Sequence, residues 1–216
     1  MNGVEQLWAS MGRDIFDYQQ LSDVLKDYSK PRDKITALMA SGLVVRVKKG
    51  LYVFGDAWRR KPVSRELLAN LVYGPSYVSL EYALSHYGLI PEGVTMVTSV
   101  TCGKSRRFQT PFGEFLYRPV PMKAYAAGIM REQAGDDYFL IASPEKALVD
   151  FVWRDRRFRP SVPSDYGAYL REDLRIDPER LAHFDMGVLR TVAAGYDSPR
   201  LGMLVSHLHE THKEGT

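Results

Sequence analysis

The chain has 216 residues, a formal net charge of +3, 45% hydrophobic and 25% charged residues, and a single cysteine, Cys102. That balance suits one large folded domain or two small ones with a proper core, and it excludes an intrachain disulfide and a cysteine-rich zinc module. No apolar run approaches the roughly 20 residues that span a bilayer, and the start MNGVEQLWASMGRD lacks the basic and apolar regions of a signal peptide, so a cytoplasmic protein is expected.

Val4 to Met11 reads as a first helix with Val4, Leu7, Trp8 and Met11 on one side and Gly12 at its end. Phe16 to Leu25 reads as a second, with Asp17 and Gln20 approximating a capping box and Leu21, Val24 and Leu25 turned inward. After a turn through Asp27 to Lys30 comes a third helix: Ser29 is the expected cap, Pro31 fits the first turn, and Ile35, Leu38 and Met39 form an apolar stripe. Gly42 stops it. Leu43 to Val47 and Leu51 to Phe54 then flank a Lys48-Lys49-Gly50 tip, the pattern of a hairpin. Helix, turn, helix and basic-tipped hairpin together outline a winged helix-turn-helix over residues 1–56.

With the stripe inward, a 100° step per residue turns Ser29, Lys30, Asp33, Thr36, Ala37 and Ala40 outward, with Arg32 and Lys34 on the flanks. A helix lying in a major groove needs small polar side chains near its start and cations beside phosphates. Arg46, Lys48 and Lys49 add charge on the wing. An ordinary solvated basic hairpin is the plain alternative.

Residues 57–63, within DAWRRKPV, form the expected link to a larger mixed domain over 64–216. Ser64 caps a helix carrying Leu67, Leu68 and Leu71; Gly74-Pro75 breaks it; Ser79 to Tyr87 is another helix, closed by Gly88. TMVTSVT alternates like a half-buried strand, and RRFQT, Pro111-Phe112-Gly113 and EFLYRPV read as a hairpin. Tyr138 to Ala142 is a compact strand, and Ser143-Pro144-Glu145 opens a helix with Ala147, Leu148, Phe151 and Val152 inside. Asp177-Pro178 and Ser198-Pro199 start two more helices, the last with a Leu201, Leu204, Val205, Leu208 stripe. The class is therefore α+β: an N-terminal winged helix-turn-helix, then a larger mixed α/β domain.

Four segments in order, LMASGLVVRVKKGLYVF, YVSLEYALSHYGLIPE, SVTCGKSRRFQTPFGEFLYRPV and IASPEKALVDFVW, resemble the AbiEi family of antitoxins from type IV toxin–antitoxin systems of phage abortive infection. Gly42, Arg46, Val47, Gly50 and Tyr52 hold characteristic places in the first. The resemblance covers roughly the first two-thirds to three-quarters of the chain; beyond about Ser161 it stops. It implies a transcriptional repressor that binds inverted repeats upstream of its own operon through the winged helix. It also implies a C-terminal domain that acts, directly or indirectly, against a nucleotidyltransferase-like toxin, with self-association on DNA.

Competing chemistry is thin. His207, His209 and His212 in HLHETH lack cysteines or an HExxH frame. Glu114 lacks the lysine that a Glu-x-Lys nuclease strand carries, and Glu145-Lys146 is adjacent rather than spaced. Cys102 at a strand end reads as packing, and Tyr77, Tyr82, Tyr87, Tyr117 and Tyr125 as core or interface. No phosphate loop, nucleophile elbow or dinucleotide fingerprint is present. The expectation is thus a non-enzyme with no cofactor and no metal. Its DNA-binding set is Ser29, Lys30, Arg32, Asp33, Lys34, Thr36, Ala37, Arg46, Lys48 and Lys49, with a second basic patch at Lys104, Arg106 and Arg107. The alternative keeps the fold and makes the winged helix a surface for a partner protein.

Overall fold

The computed structural model describes the backbone of residues 3–214 and the side chains of residues 7–213; the expected packing of Val4 lies outside the described side chains. The N-terminal elements are α1 (Gly3–Ser10), β1 (Ile15–Asp17), α2 (Tyr18–Val24), α3 (Pro31–Ala40), β2 (Val44–Lys48) and β3 (Leu51–Phe54), with a three-stranded antiparallel sheet in the order β1-β3-β2. Asp17 caps α2 as expected: its Oδ1 accepts from Gln20 N at 2.8 Å while Asp17 N donates to Gln20 Oε1 at 2.9 Å. Phe16, expected in that helix, lies instead in β1 and pairs with Tyr52. Three residues leave no readable periodicity, and Phe16 is buried in the strand.

Gly42 takes φ +73° just after α3, the left-handed turn that ends a helix. It also lets the chain close on itself. Gly55 N donates to Leu43 O at 2.8 Å, and a Cβ on Gly55 would collide with the Gly42 carbonyl oxygen.

The second unit begins at α4 (Arg65–Val72), capped by Ser64 Oγ accepting from Leu67 N at 3.0 Å. Its buried side is Leu68, Ala69 and Val72, and Leu71 is exposed. Then come β4 (Ser76–Val78), α5 (Leu80–His86), β5 (Val97–Thr101), β6 (Arg106–Thr110), β7 (Gly113–Pro119), α6 (Met122–Tyr125), β8 (Ile129–Ala134), β9 (Asp137–Ala142) and α7 (Pro144–Arg154). The chain closes with α8 (Asp165–Ala168), a π-helical turn over Tyr169–Asp173, α9 (Pro178–Ala182), α10 (Met186–Ala194) and α11 (Pro199–Glu214). The strands form one mixed six-stranded sheet, β6-β7-β5-β4-β9-β8.

The sheet lies between α4 and α7. Tyr117 Oη donates to Ala69 O of α4 at 2.7 Å, and Tyr77 Oη donates to Asp150 Oδ2 of α7 at 2.9 Å. β5, expected to be half-buried, is buried throughout because strands flank it and helices cover both faces. Its two threonine hydroxyls are bonded, Thr98 Oγ1 donating to Ser79 O at 2.7 Å and Thr101 Oγ1 to Pro75 O at 2.9 Å.

Two hydrophobic cores result, and β3 serves both. Tyr52 and Phe54 belong to the N-terminal core with Phe16, Ile35 and Leu38, whereas Leu51 and Val53 belong to the core of the second unit with Leu68 and Val72. Residues 57–63, expected as a link, are strapped down. Trp58 O accepts from Trp8 Nε1 at 2.7 Å, Arg60 pairs with the buried Asp14 at 2.9 Å, and Lys61 pairs with Asp137 at 2.8 Å. The class is α+β, with helices and two sheets.

Candidate nucleic-acid interface

On α3 the apolar stripe works as its spacing implies. Ile35 and Leu38 are buried, Met39 packs beside them, and Ser29, Lys30, Arg32, Asp33, Thr36, Ala37 and Ala40 are exposed. The cap differs from expectation. Lys30, not Ser29, is the capping residue and offers no side-chain bond, so the helix start relies on Pro31 at the first position. Thr36 Oγ1 bonds back to Arg32 O at 3.1 Å, and Lys34 Nζ lies 5.2 Å from the centre of the Tyr28 ring, which makes Lys34 half-buried. The remaining outward face presents small polar groups with Lys30 and Arg32 at its N-terminal end.

The hairpin divides its cations. Cross-strand partners share a face. Arg46 sits opposite Tyr52 and Val44 opposite Phe54, so Arg46 is on the face that covers the N-terminal core, at its exposed margin. A register shift between Arg46 and Lys48 then places Lys48 opposite Leu51, which packs into the second unit. Lys48 follows it. Its half-buried ammonium donates to Val72 O at 2.5 Å, at the C-terminal end of α4, where the helix dipole favours a cation. This corrects the expected wing: Lys48 is taken up by the contact between units, and Arg46 and Lys49 are the cations left exposed. The basic tip was legible; which lysine points inward depends on the bulge.

Lys104, Arg106 and Arg107 are exposed on and just before β6, an edge strand of the large sheet. Arg107 is paired with Glu114 Oε2 at 2.7 Å across the hairpin, and Lys104 N donates to Tyr73 Oη at 3.2 Å. Charge on an exposed edge keeps other strands from pairing there, so this patch has a structural use whatever else it contacts.

The three histidines of HLHETH have separate partners. Nδ1 of His209 lies 3.0 Å from the Arg190 guanidinium, Nδ1 of His212 lies 2.8 Å from Leu208 O, and the His207 ring stacks on Tyr166 with centres 6.4 Å apart. Among the described residues no group of three or more His, Cys, Asp and Glu is placed to hold a metal ion. Burial pushes the Cys102 thiol up, which keeps it protonated.

Two clusters were passed over in the sequence. Inside the second unit, Asp150 is fully enclosed and accepts from Tyr77 at 2.9 Å, from Ser79 at 2.7 Å and from Tyr196. Lys146 Nζ, one turn earlier, lies 3.5 Å from Asp150 Oδ1 and donates to Ala124 O at 2.7 Å. Burial pushes the Asp150 carboxyl up and the Lys146 ammonium down, each opposed by the other's charge. Such a saturated set fixes α7 on the sheet. The second cluster is Arg118 of β7 with Arg154 and Arg157 at the end of α7, which line one cavity. Its sequence trace is WRDRRFR, a run dense in arginine.

No protein-family model matches this chain, and no curated protein matches it.

Proposed function

We propose that this protein is a sequence-specific DNA-binding repressor that acts as the antitoxin of a type IV toxin–antitoxin pair and performs no catalysis. The observation that carries the DNA reading is α3. Its buried side is Ile35 and Leu38, and the side it offers to solvent is Ser29, Lys30, Arg32, Asp33, Thr36 and Ala37. The reading takes α3, with α2 before it and the β1-β3-β2 sheet beside it, as the recognition helix of a winged helix-turn-helix. In this reading Thr36 and Ala37 face base edges, Lys30, Arg32, Arg46 and Lys49 meet phosphates, and Asp33 accepts from a cytosine amine. Phosphate contacts supply most of the affinity and α3 supplies the sequence preference. Inverted repeats recruit two copies. The antitoxin role, the nucleotidyltransferase-like partner and the cytoplasmic setting rest on the resemblance of the sequence to the AbiEi family.

A second reading is favoured by the loss of Lys48 from the exposed set: with fewer cations, the same face binds a partner protein instead. Fluorescence anisotropy separates the two. The full chain is titrated against duplex DNA from upstream of its own gene, against a scrambled duplex, and across a salt series. Preference for the native duplex with a steep fall in salt supports the repressor; equal, weak binding to both duplexes sinks it in favour of the interaction module.

A further inference from the structure

A cavity of about 230 Å³ opens on the face of the large sheet that carries α7. Tyr77, Val100 and Arg118 lie in register across β4, β5 and β7, and the Tyr77 hydroxyl reaches α7, so Arg118 projects to that side and away from α4. Arg154, the last residue of α7, and Arg157, three residues beyond it, meet it there, and Leu80, Leu116 and Phe151 supply apolar wall.

The three arginines share the cavity with two carboxylates, Glu81 and Asp155. The Asp155 carboxylate is already held by Arg157 at 3.2 Å and by the Tyr169 hydroxyl at 3.0 Å. Among the described residues no carboxylate lies within ion-pairing distance of Arg118 or Arg154. Arg118 reaches only Ser105 Oγ, at 3.4 Å, and Arg154 leans over Trp153 with 6.0 Å to the ring centre. Burial, then the neighbouring Arg118 and Arg156, push the Arg154 guanidinium below its ordinary value, with Glu81 opposing. Arg118 and Arg154 are thus two crowded, half-buried guanidinium groups with no ion-pair partner among the described residues, and the cavity carries one more cation than its two carboxylates, Glu81 and Asp155, balance.

The wall is also held rigid. Leu80 has φ +61°, a left-handed conformation unfavourable for a leucine. It is imposed by its neighbours: Ser79 N donates to Thr98 O at 3.0 Å, Ser79 Oγ to Asp150 at 2.7 Å, and Tyr82 N to Thr98 Oγ1 at 3.1 Å. Residues held in this way by their surroundings are found at ligand clamps.

We propose that Arg118, Arg154 and Arg157 form a binding site for the phosphoryl group of a small ligand, either inorganic phosphate or the phosphate of a mononucleotide. Guanidinium forks match the geometry of a phosphoryl group, and the apolar wall of Leu80 and Phe151 accepts an organic remainder. The site is independent of the α3 face, so it stands or falls separately from the repressor reading.

The test is isothermal titration calorimetry of the full chain with inorganic phosphate and with adenosine monophosphate, at fixed chloride. Saturable binding at one site is expected, weakened by about tenfold or more in Arg118→Gln and in Arg154→Gln. Binding is expected to stay unchanged in Arg107→Gln on the exposed edge strand. Tighter binding of the nucleotide identifies it as the source of the phosphate; equal binding identifies the free ion. Circular dichroism melting of each variant separates lost binding from lost fold, and Arg118→Gln leaves α7 intact if Arg154→Gln unfolds. Absence of saturable binding of either anion up to about 10 mM overturns the site. So do unchanged affinities in the two variants, or a loss confined to duplex DNA, which would make the cluster a nucleic-acid contact.

Discussion

The ammonium of Lys48, at the tip of β2, donates to the carbonyl of Val72 at the end of α4, 2.5 Å away and 24 residues along the chain. A residue with the sequence signature of a phosphate contact is thereby part of the seam between two units. Lys49, its neighbour, remains in solvent. The two lysines should therefore separate in experiment. Lys48→Met is expected to lower stability by about 1–2 kcal/mol in urea unfolding and to leave the salt dependence of DNA binding unchanged. Arg46→Ala with Lys49→Ala is expected to leave stability unchanged and to reduce the salt slope by about one unit per cation removed. A flattened slope from Lys48→Met alone would reverse the assignment.

The exposed side of α3 makes a complementary prediction. Ala37 touches no core residue group and points to solvent, so Ala37→Glu should move stability by no more than about 0.5 kcal/mol. In the repressor reading it also sets a carboxylate against phosphates and should weaken binding to the native duplex by at least about tenfold in the anisotropy titration. Full retention of binding would remove α3 from the interface.

Asn70 of α4 serves as a substitute strand. Its Oδ1 accepts from Leu140 N at 2.6 Å and its Nδ2 donates to Leu140 O at 3.2 Å, completing β9 where β4 is too short to pair with it. Asn70→Leu is close in size but removes the side-chain partner of the Leu140 N–H. A loss of about 1–3 kcal/mol is expected in chemical denaturation, together with faster amide exchange at Leu140 than in the parent.

The enclosed Lys146–Asp150 set should show a strong asymmetry between its variants. Lys146→Met strands a carboxylate that is fully buried, and about 3–5 kcal/mol of destabilisation is expected. Asp150→Asn keeps the shape and one amide oxygen that can accept from both Tyr77 and Ser79, while the Lys146 ammonium it deprives of a counter-charge still donates to Ala124 O, so it should cost less. Equal losses in thermal melting would mean that the charge at Asp150 contributes nothing beyond its hydrogen bonds.

Acid sensitivity is expected from His207. Burial holds its pKa below the ordinary 6.5, with Arg171 acting the same way and Glu210 opposing. As pH falls below 6.5 the unfolded chain takes up the proton more readily than the folded one, so stability is complete above that value and declines beneath it. His207→Gln should reduce that decline in melting curves recorded across pH. It should not abolish it, because His209 is also lowered, by desolvation and by Lys213 and Arg190.

What the sequence determined by itself was local. The Asp17–Gln20 capping box, the Ser64 and Ser143 caps and the Pro starts at Pro31, Pro178 and Pro199 are where the spacing puts them, because each bond closes within a few residues. The α3 stripe was legible for the same reason, and with it the outward face of the candidate site. Three strands, β1, β4 and β8, were not. The first two span three residues each, and β8 lies at a sheet edge with no clean alternation, so none carries a period of its own. Only the tertiary structure decided what covers each face. The run LYVF announces burial but not that Tyr52 and Phe54 serve one core while Leu51 and Val53 serve another. A single register shift sends Lys48 inward, and packing against α7 gathers Arg118 with Arg154 from opposite ends of the sequence pattern. Period and propensity act over a few residues; register and covering partners are settled by contacts tens of residues apart, where side-chain burial, not local preference, sets the free energy.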